Sequence, residues 1–562
     1  DTFEKTTLRD CYLVDSGTVF LTGVQALVRF LIEKHRRDKR TQEVIRRTFV
    51  SGYEGSPLGG LDLEIRRNLD LLNEDSHCVH QPAVNEKIAA ASVTGSQYNG
   101  DVDGFWYGKA HGTKWATDEL SLANLSGSGT DSGVVLFCGD DHGAKSSGYP
   151  AGSETVLRDA KTPVFYPSSI PEVISYAHHA LALSRYSGLA CALKLVTPIC
   201  DGAATLPVSP VEPCITLPDY MVNGNPYRKT FHPVVIATGS LPYEEEVADI
   251  RLGIARSYAQ LNGIDQIVNT ESNCPLGIIA TGKSYPDVRL ALDAMGLGDE
   301  IRLLKLGLVY PLNHEIVQTF GHGLESVLVV EEKGPFVEEP VAQALFNTCV
   351  RRVYGKRGPD GNRLIPAHGE LNPDRLVESI EPLLKPYFPN TKISKRVEEL
   401  KRLDSRNTAM FPRRAAHYCP GCPHSISVTA PSGETAGGEI GCSSIDAYVK
   451  ADGRGVRYIP TMGMGGALNN GVFPFNGNDH MFQNVGDGTI LHSGLLTIFS
   501  SISHGANVTY KILWNHVVAM TGGQDITGQP DLDEFIMILL GLGVKEVSVV
   551  SKYPEGVPLD RA

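Results

Sequence analysis

The sequence predicts an α/β protein with several doubly wound parallel sheets, because short apolar runs alternate with longer segments of helical periodicity along most of its 562 residues. The run Val134–Cys138 is typical of a buried strand, and Pro171–Arg185 carries apolar residues at helical spacing. A second alternation begins at Leu276–Gly282, where an apolar run ends in a glycine turn. This order of elements favours parallel sheets with helices on both faces, and the length suggests roughly three or four domains.

The elements can be followed in order along the chain. Thr18–Arg29 and Val44–Tyr53 are expected to open the first sheet, and a segment rich in Pro, Asp and Asn, Val208–Pro233, is expected to close it as a linker. The second alternation contains the predicted helix Tyr285–Met295. The charged segment Lys392–Arg406 indicates an exposed connecting helix before the last part of the chain.

The most informative stretch lies in that last part, at Gly486–Gly488, which is followed after 26 residues by Asn515–Val517. The segment Met481–Val485 is typical of a buried strand that ends at the glycines, and apolar residues at helical spacing follow from Leu491 to His504. A second strand, Val508–Trp514, then delivers Asn515 to the same sheet edge. Free N–H groups and the dipole at a helix N-terminus favour phosphate at this position.

These residues predict a diphosphate and Mg²⁺ site. Gly486 and Gly488 let the backbone approach phosphates closely, while Asp487, Asn515 and a backbone carbonyl offer the oxygen ligands that Mg²⁺ prefers. A lone Gly-Asp-Gly is otherwise an ordinary tight turn, but the order of strand, helix, strand and Asn around it favours a cofactor site. The spacing therefore indicates a thiamine diphosphate enzyme.

Composition narrows the class of protein further. The net charge of -13 and the lack of a basic patch disfavour nucleic acid as a partner, and the longest apolar run, Phe535–Leu542, is far shorter than the ~20 residues that span a bilayer. Charged residues interrupt Asp1–Asp15 too often for a signal peptide, so we expect a cytoplasmic protein. Eight cysteines are scattered without paired spacing, which favours small buried side chains in a reducing compartment over disulfides. They are Cys11, Cys78, Cys138, Cys191, Cys200, Cys214, Cys274 and Cys349.

Five motifs together resemble the 2-oxoacid:ferredoxin oxidoreductases, and most closely the members that act on indolepyruvate. They are Gly52–Gly60, Asn85–Lys87, Gly139–Ser147, Cys419–His424 and Val518–Gln524. The motifs span nearly the whole chain in the family's order. The resemblance implies doubly wound sheets of the thiamine diphosphate-binding, transketolase-like type. It also implies that Asp487 and Asn515 bind Mg²⁺ and that the carbonyl ligand falls at Val517.

Thiamine chemistry needs a carboxylate against the aminopyrimidine ring, and Glu86 is the candidate. The small and apolar residues that follow it could pack a helix against the cofactor, although a surface Glu beside Lys87 is the alternative. Ser56 lies in a turn after a predicted strand, where ligands of open α/β sheets collect. The resemblance implies that Ser56 contacts the substrate carboxylate or the thiazolium, whereas the Gly and Pro around it would also suit a simple turn.

Cys419, Cys422 and Cys442 look like three ligands of an iron–sulfur cluster, which the resemblance implies is a [4Fe–4S] cluster. No cysteine follows Cys442, so the fourth ligand lies beyond the sequence, is a different residue type, or is missing. His424 or His417 are conceivable substitutes, though an ordinary His is the simpler interpretation of each. A redox dithiol or a zinc knuckle remains an alternative for the cysteines.

The resemblance also suggests where domains begin and end. We expect a pyrimidine-binding domain over 1–225, a transketolase C-terminal-like domain over 226–350, a linker over 351–410 and a pyrophosphate-binding domain over 411–562. Because the predicted strand Val547–Val550 is followed at once by the end of the sequence, the last domain is expected to be incomplete and the chain to be part of a longer polypeptide. A homodimer or higher oligomer with shared sites, and a further catalytic domain or subunit, are expected from the family.

The implied function is oxidative decarboxylation of a 2-oxo acid, such as the aryl pyruvate indolepyruvate, to an acyl-CoA. Electrons would pass through the iron–sulfur cluster to ferredoxin, and coenzyme A would take the acyl group. A non-oxidative thiamine decarboxylase or synthase is one alternative, since it shares the Gly-Asp-Gly and Asn arrangement. A zinc-bearing, non-catalytic assembly subunit is another.

Two groups of residues are candidates for the substrate pocket. Tyr53 and Phe105–Tyr107 would form an aromatic wall, although aromatic residues of this kind are more often part of the core. His142 and Lys145, on a predicted loop, would be polar pocket residues.

Overall fold

The computed structural model describes residues 7–41, 46–73, 78–209, 213–389, 398–399, 402–403, 416–434, 436–449 and 455–553. The chain divides into two compact units, Asp1–Phe411 and Pro412–Ala562, called the first and second unit below. Most of the predicted connecting helix Lys392–Arg406 lies outside the described residues.

The first unit contains sixteen described strands, most of them short. They are β1 Gly17–Thr22, β2 Arg47–Gly52, β3 Cys78–His80, β4 Val102–Lys109, β5 Val134–Asp140, β6 Val164–Phe165, β7 Cys191–Val196, β8 Ala203–Val208, β9 Met221–Val222, β10 Asn225–Pro226, β11 Gln266–Val268, β12 Leu276–Thr281, β13 Leu303–Leu306, β14 Leu308–Tyr310, β15 Ser326–Val330 and β16 Arg352–Tyr354.

Its described α-helices alternate with these strands. They are α1 Asp10–Leu13, α2 Gly23–Arg40, α3 Leu61–Arg67, α4 Leu69–Asn73, α5 Glu86–Ser96, α6 Ala110–Ser126, α7 Glu154–Asp159, α8 Ile170–Ser187, α9 Thr197–Cys200, α10 Leu241–Glu245, α11 Leu252–Leu261, α12 Ser284–Met295, α13 His314–Gly321, α14 Glu338–Leu345 and α15 Pro373–Leu384.

A seven-stranded sheet forms the centre of the first unit, in the order β14-β6-β7-β5-β4-β2-β3. All its neighbours run parallel except β14, which pairs antiparallel with β6. Every residue of β5 and β7 is buried, as expected when helices cover both faces of a parallel sheet. This explains why these strands are mostly apolar in the sequence and lack a regular polar alternation, with Lys194 and Asp140 as the charged exceptions.

A five-stranded sheet with the order β11-β13-β12-β15-β16 follows in the first unit. The β12, β13, β15 and β16 pairings are parallel, whereas β11 is an antiparallel edge strand. The segment 351–410, expected to be a linker, supplies β16 and α15 to this part, and Leu376, Val377 and Ile380 of α15 lie in its core.

Local signals fix where several helices begin and end. Helix α2 starts with a capping box, in which the Thr22 hydroxyl accepts a hydrogen bond from the Gln25 N–H and the Gln25 side chain accepts one from the Thr22 N–H. Helix α8 ends at Gly188, whose φ of 84° allows the left-handed turn that closes the helix.

The second unit has a smaller parallel sheet with the order β17-β18-β19. Its strands are β17 Ala436–Gly437, β18 Met481–Gly486, β19 Val508–Leu513, β20 Val517–Val518 and β21 Gln524–Asp525. Its described α-helices are α16 His424–Ser427, α17 Asp446–Val449, α18 Gly465–Val472, α19 Asp487–Thr489, α20 Leu495–His504 and α21 Leu532–Gly541. A π-helical turn, Ile490–Gly494, joins α19 to α20.

The predicted fold class, α/β with parallel sheets, is confirmed, but one predicted strand is wrong. Val547–Val550 has no strand conformation and pairs with no described strand, and Val550 is 95% exposed. Its β-branched residues favour a strand by propensity, yet propensity does not supply a partner. No helix in the described part of the chain is long and apolar enough to cross a membrane. All eight scattered cysteines are free, and five are buried, whereas Cys214 and Cys349 are exposed and Cys274 is partly exposed.

Candidate functional site

In the second unit, the ends of two neighbouring strands bring the predicted cofactor residues together. Strand β18 ends at Gly486 and the following helix begins at Asp487. Strand β19 is its parallel neighbour, with Gly486 opposite Leu513, so the loop at Asn515 leaves the sheet at the same edge. The sequence-based expectation that Asp487 and Asn515 meet at one sheet edge therefore agrees with the geometry.

The carboxylate of Asp487 is 1% exposed and is surrounded by N–H groups. Its Oδ1 accepts a hydrogen bond from the Gly488 N–H at 2.9 Å. Its Oδ2 accepts from the backbone N–H groups of Asn515 at 2.8 Å and His516 at 2.7 Å, and from Gln529 Nε2 at 3.2 Å. These hydrogen bonds fix the carboxylate and tie the two loops together without a charged side chain.

The loop after β19 turns sharply so that its backbone can reach Asp487. His516 has a φ of 63°, in the left-handed region, which lets its own N–H and that of Asn515 point at one carboxylate oxygen. The Asn515 Oδ1 accepts a hydrogen bond from the Val517 N–H at 3.1 Å. Carboxylate, amide and carbonyl oxygens thus lie within one short loop pair, and such hard donors fit Mg²⁺.

His424 lies beside Asn515, although its place in the sequence suggested only a conceivable cluster ligand. Its Nε2 is 3.4 Å from Nδ2 of Asn515. Burial lowers the pKa of His424, and the nearby Asp487 carboxylate opposes this effect. The signal that could have found it is its place directly after the Cys-Pro-Gly-Cys-Pro motif.

The three motif cysteines lie within electrostatic reach of one another. Cys419 and Cys422 belong to one turn, in which the Cys422 N–H donates to the Cys419 carbonyl at 3.0 Å. Burial raises the pKa of Cys442, and Cys422 and Cys419 raise it further. Cys419 is exposed and the other two thiols are half-buried.

The spacing of these thiols bears on the zinc alternative. Tetrahedral zinc with Zn–S bonds of about 2.3 Å places its sulfur ligands roughly 3.8 Å apart. Among the described residues, the three cysteines do not bring their sulfur atoms within 4.8 Å of one another. The group that meets this distance is Asp140, His142 and Glu154. The arrangement of the thiols does not match a preformed zinc site.

In the first unit, Glu86 is held at the start of α5. Asn85 caps the helix by accepting a hydrogen bond from the Ile88 N–H at 2.9 Å, and Trp106 Nε1 donates to the Glu86 carbonyl at 3.0 Å. Glu86 is 6% exposed, whereas its neighbour Lys87 points outward and forms an ion pair with Asp118. The alternative of a surface Glu is therefore wrong.

Two glycines make room for the Glu86 side chain. A Cβ built on Gly112, in the first turn of α6, would overlap the Glu86 carboxylate. A Cβ on Gly108, at the end of β4, would lie 3.4 Å from Glu86 Cγ. The carboxylate therefore rests directly on the backbone of α6, near the carboxyl end of the parallel sheet.

Three titratable residues that were not predicted as site residues lie within electrostatic reach of Glu86. Burial raises the pKa of Glu54 to about 7, and Asp62 and Glu86 add to this effect. Burial lowers the pKa of Lys109, and the negative charge of Glu86 opposes the shift. Burial also lowers the pKa of His111, which lies two residues further along, to about 4. Shifts of this size cluster at functional sites.

Ser56 lies on the turn that follows β2, at the same edge. It is half-buried, and the turn is closed by the Leu58 N–H, which donates to the Gly55 carbonyl at 2.8 Å. A Cβ on Gly55 would lie 2.9 Å from Cδ of Lys109, so the lysine side chain crosses directly over this turn. Ser56 and Lys109 are thus neighbours across β2 and β4.

The predicted aromatic wall belongs to the core. Phe105, Trp106 and Tyr107 are completely buried within β4, and Tyr53 is 7% exposed. Phe105 stacks on Phe137 with ring centroids 5.9 Å apart. These rings pack in the hydrophobic core, and the prediction that they line a pocket is wrong.

His142 and Lys145, the two predicted polar pocket residues, contact carboxylates of the first unit. The His142 ring lies between two carboxylates, with Nε2 3.8 Å from Asp140 Oδ2 and Nδ1 3.6 Å from Glu332 Oε2. Lys145 forms an ion pair with Glu370 at 2.9 Å.

The group Asp140, His142 and Glu154 resembles a metal site, but a lysine supplies its positive charge. Lys194 Nζ is 2.6 Å from Glu154 Oε2 and 3.3 Å from Asp140 Oδ2, and all four side chains are buried. This network holds the carboxyl end of β5 and β7 together.

Comparison with known proteins shows which proteins this chain is similar to. Residues 266–407 match a family model described as an indolepyruvate oxidoreductase domain. The chain is 28% identical over 534 residues to the indolepyruvate oxidoreductase subunit IorA of Methanothermobacter thermautotrophicus, covering 92% of this chain and 78% of that protein. It is 27% identical over 556 residues to the Archaeoglobus fulgidus subunit of the same name, covering 95% and 82%.

Among solved structures, a 2-oxoglutarate:ferredoxin oxidoreductase from Magnetococcus marinus aligns with a TM-score of 0.48 and 14% identity. The alignment covers 65% of each chain.

Proposed function

We propose that this chain is part of a thiamine diphosphate-dependent oxidoreductase. The proposal starts from its similarity, over more than 90% of its length, to proteins named indolepyruvate oxidoreductase subunits. The chain is the subunit that binds thiamine diphosphate and decarboxylates a 2-oxo acid. The proposed substrate is an aryl pyruvate such as indolepyruvate, the product is an acyl-CoA, and ferredoxin receives the electrons.

The observation that carries this proposal is the pair of loops at Asp487 and Asn515. A carboxylate that is almost fully buried, held by backbone N–H groups and placed beside an amide oxygen, is suited to a divalent cation. We assign Asp487, Asn515 and the Val517 carbonyl to Mg²⁺. Gly486 and Gly488 would let the diphosphate approach the start of the helix.

Glu86 is the proposed catalytic carboxylate. When bound, thiamine diphosphate supplies a thiazolium that accepts the electron pair released by decarboxylation. Glu86 would hydrogen-bond the aminopyrimidine ring through its buried carboxylate and hold the proton that this ring exchanges. The close contact with Gly112 fixes the carboxylate, and Ser56 on the adjacent turn is the proposed substrate contact.

The electron path is assigned to Cys419, Cys422 and Cys442 as ligands of a [4Fe–4S] cluster. Their exposed and half-buried thiols share one electrostatic environment. Because the relatives are named as subunits, we propose that the enzyme contains a partner subunit and more than one copy of this chain. We further propose that it works in the cytoplasm.

The test uses the full chain purified anaerobically together with its partner subunit. Iron, sulfide, zinc and thiamine diphosphate are quantified per chain, and indolepyruvate-dependent reduction of ferredoxin is measured with and without coenzyme A. We expect thiamine, iron and sulfide, and reduction that requires coenzyme A. Thiamine with decarboxylation but no iron would instead indicate a non-oxidative enzyme.

A single substitution tests the catalytic assignment. Glu86→Gln keeps the shape of the side chain but removes its proton exchange, so turnover should fall roughly 100-fold to 10,000-fold while thiamine diphosphate remains bound. Glu119→Gln, on the neighbouring helix α6 and half-buried, is the matched control. Full turnover in Glu86→Gln would refute the assignment.

A further inference from the structure

Lys109 has no carboxylate partner among the residues that the structure describes. It is half-buried at the carboxyl end of β4, and within the described residues no carboxylate oxygen lies within 4 Å of its Nζ. Removing an ammonium group from water is costly unless an anion or hydrogen-bond acceptors replace the water. A lysine in this position therefore suits an anion that arrives from outside the chain.

The position of Lys109 shows where such an anion would lie. Its methylene carbons lie on Gly55, between 2.9 and 3.4 Å from where a Cβ of that glycine would be, so the side chain runs across the turn that carries Ser56. Glu86 is near enough to raise the pKa of Lys109, although burial lowers it more. The Lys109 side chain thus lies on the residue next to Ser56, the proposed substrate contact, and its ammonium group is within electrostatic reach of Glu86, the proposed catalytic carboxylate.

His111 is a second unsatisfied group beside Lys109. Both of its ring nitrogens are buried, and neither has a hydrogen-bond partner in the described part of the chain. Burial, followed by Lys109 and Lys114, lowers the pKa of His111 to about 4, so the ring is neutral at pH 7. A neutral imidazole has one N–H to donate, and the ring of Tyr149 packs edge-on against it at 4.2 Å.

We propose that Lys109 and His111 bind the carboxylate of the 2-oxo acid, with Lys109 supplying the charge and His111 an N–H donor, next to the Ser56 turn. This inference rests on the proposed function and extends it to the residues that recognise the substrate. Lys109 and His111 are thus the proposed specificity-determining residues, and they would favour a free 2-oxo acid over its ester or amide.

The charge balance favours a carboxylate over a phosphate. Lys109 carries one positive charge and His111 carries none, and the negative charges of Glu86 and Asp141 already act on Lys109, so a monoanion meets less repulsion here than a dianion. Glu86 lies beside them and would repel the second charge of a phosphate dianion. The phosphates of coenzyme A are the other anions available to such a position, and the experiment below separates the two.

The test compares Lys109→Met with Lys87→Met in the complete enzyme. Lys109→Met keeps the packing across Gly55 but removes the charge, and should raise the KM for the 2-oxo acid roughly 10-fold to 100-fold, since hydrogen bonds to charged groups have about this effect. The KM for coenzyme A and the affinity for thiamine diphosphate should not change. Lys87→Met, which removes an exposed lysine paired with Asp118, should leave all three values unchanged.

Two further variants complete the test. Lys109→Arg should recover most of the substrate affinity, and His111→Phe should raise the KM for the 2-oxo acid but not for coenzyme A. If Lys109→Met does not fold, His111→Phe decides the question. An unchanged KM for the 2-oxo acid, or a raised KM for coenzyme A alone, would overturn the inference. A wild-type enzyme that turns over no 2-oxo acid would instead overturn the proposed function.

Discussion

The sheet edge at Asp487 in the second unit and the sheet edge at Glu54 in the first unit hold charged groups in different ways. In the second unit, Asp487 receives hydrogen bonds from backbone N–H groups of two adjacent loops. In the first unit, burial is the main cause of the displaced pKa values of Glu54, which is buried, and of Lys109, which is half-buried. Backbone N–H groups around a carboxylate fit the proposed cation site, whereas side chains with displaced pKa values fit the proposed proton transfer and substrate binding.

The largest loss of cofactor affinity should come from changing Asp487, the carboxylate that the backbone N–H groups hold. Asp487→Asn replaces one carboxylate oxygen with an NH₂ group, which cannot bind Mg²⁺, and removes the negative charge that the N–H groups surround. Affinity for thiamine diphosphate in the presence of Mg²⁺ should fall by at least roughly 100-fold, or about 2.7 kcal/mol. Equilibrium titration with thiamine diphosphate measures this.

Asp479→Asn is the control for that substitution, because Asp479 is exposed and lies just before β18. It should bind the cofactor as the wild type does. Normal affinity in Asp487→Asn would remove the main support for the magnesium assignment.

A smaller, more selective effect is expected from Gly112→Ala in the first unit. The added methyl group overlaps the Glu86 carboxylate, which is the end of a flexible side chain and can move aside without unfolding α6. Displacement of a catalytic group by about 1 Å can cost roughly 100-fold in rate. We expect turnover to fall about 10-fold to 100-fold, with the melting temperature nearly unchanged.

Gly95→Ala provides the comparison, since a Cβ at Gly95 in α5 meets nothing within 4 Å. It should keep full turnover and stabilise the protein by about 0.5–1 kcal/mol, as expected for Gly to Ala in a helix. Equal turnover in the two variants would show that the position of the Glu86 carboxylate does not limit the reaction.

The third prediction concerns pH and Glu54. Its pKa rises from 4.5 in the unfolded chain to about 7 in the folded protein, chiefly through burial, so the folded state favours the protonated form. The associated stability is complete below pH 4.5 and is lost as the pH rises through 7. Glu54→Gln removes this penalty and should stabilise the protein by roughly 1–3 kcal/mol at pH 8 but not at pH 4.5.

Urea unfolding of the wild type and Glu54→Gln at both pH values measures this difference. Glu244→Gln, an exposed residue on α10, should show no such pH dependence. A constant difference between Glu54→Gln and the wild type across the pH range would mean that folding does not shift the pKa of Glu54.

The contrast between the edges also explains what could be predicted from the sequence. Asp487 and Asn515 each follow a recognisable strand, and parallel strand ends necessarily meet at one edge, so the second-unit site was predictable. Lys109 lies on Gly55 only because β2 pairs with β4 in the register that places Gly52 opposite Tyr107. No local pattern encodes that register.

The failed predictions have the same origin. The aromatic residues 105–107 have a composition that would suit either a pocket wall or a core. They are core because β4 has neighbours on both sides and is buried along almost its whole length. Glu86 was identified from the motif around it, whereas its burial depends on Gly108 and Gly112, more than twenty residues away.

The smallest effect is expected from substitutions of His516. They test how far the backbone geometry of the loop at Asn515 depends on the φ angle of residue 516. His516 adopts a φ of 63°, which glycine tolerates and β-branched residues strongly disfavour. His516→Gly should keep cofactor affinity, whereas His516→Val should lose about 1–2 kcal/mol of stability and bind thiamine diphosphate more weakly. Both variants lose the edge-on contact with Trp514, so that loss cancels between them. Asp487 accepts its hydrogen bond from the backbone N–H of residue 516, which both variants keep, so a difference in cofactor affinity between them is expected to follow the backbone conformation. Equal affinities would show that the loop reaches Asp487 without the left-handed turn.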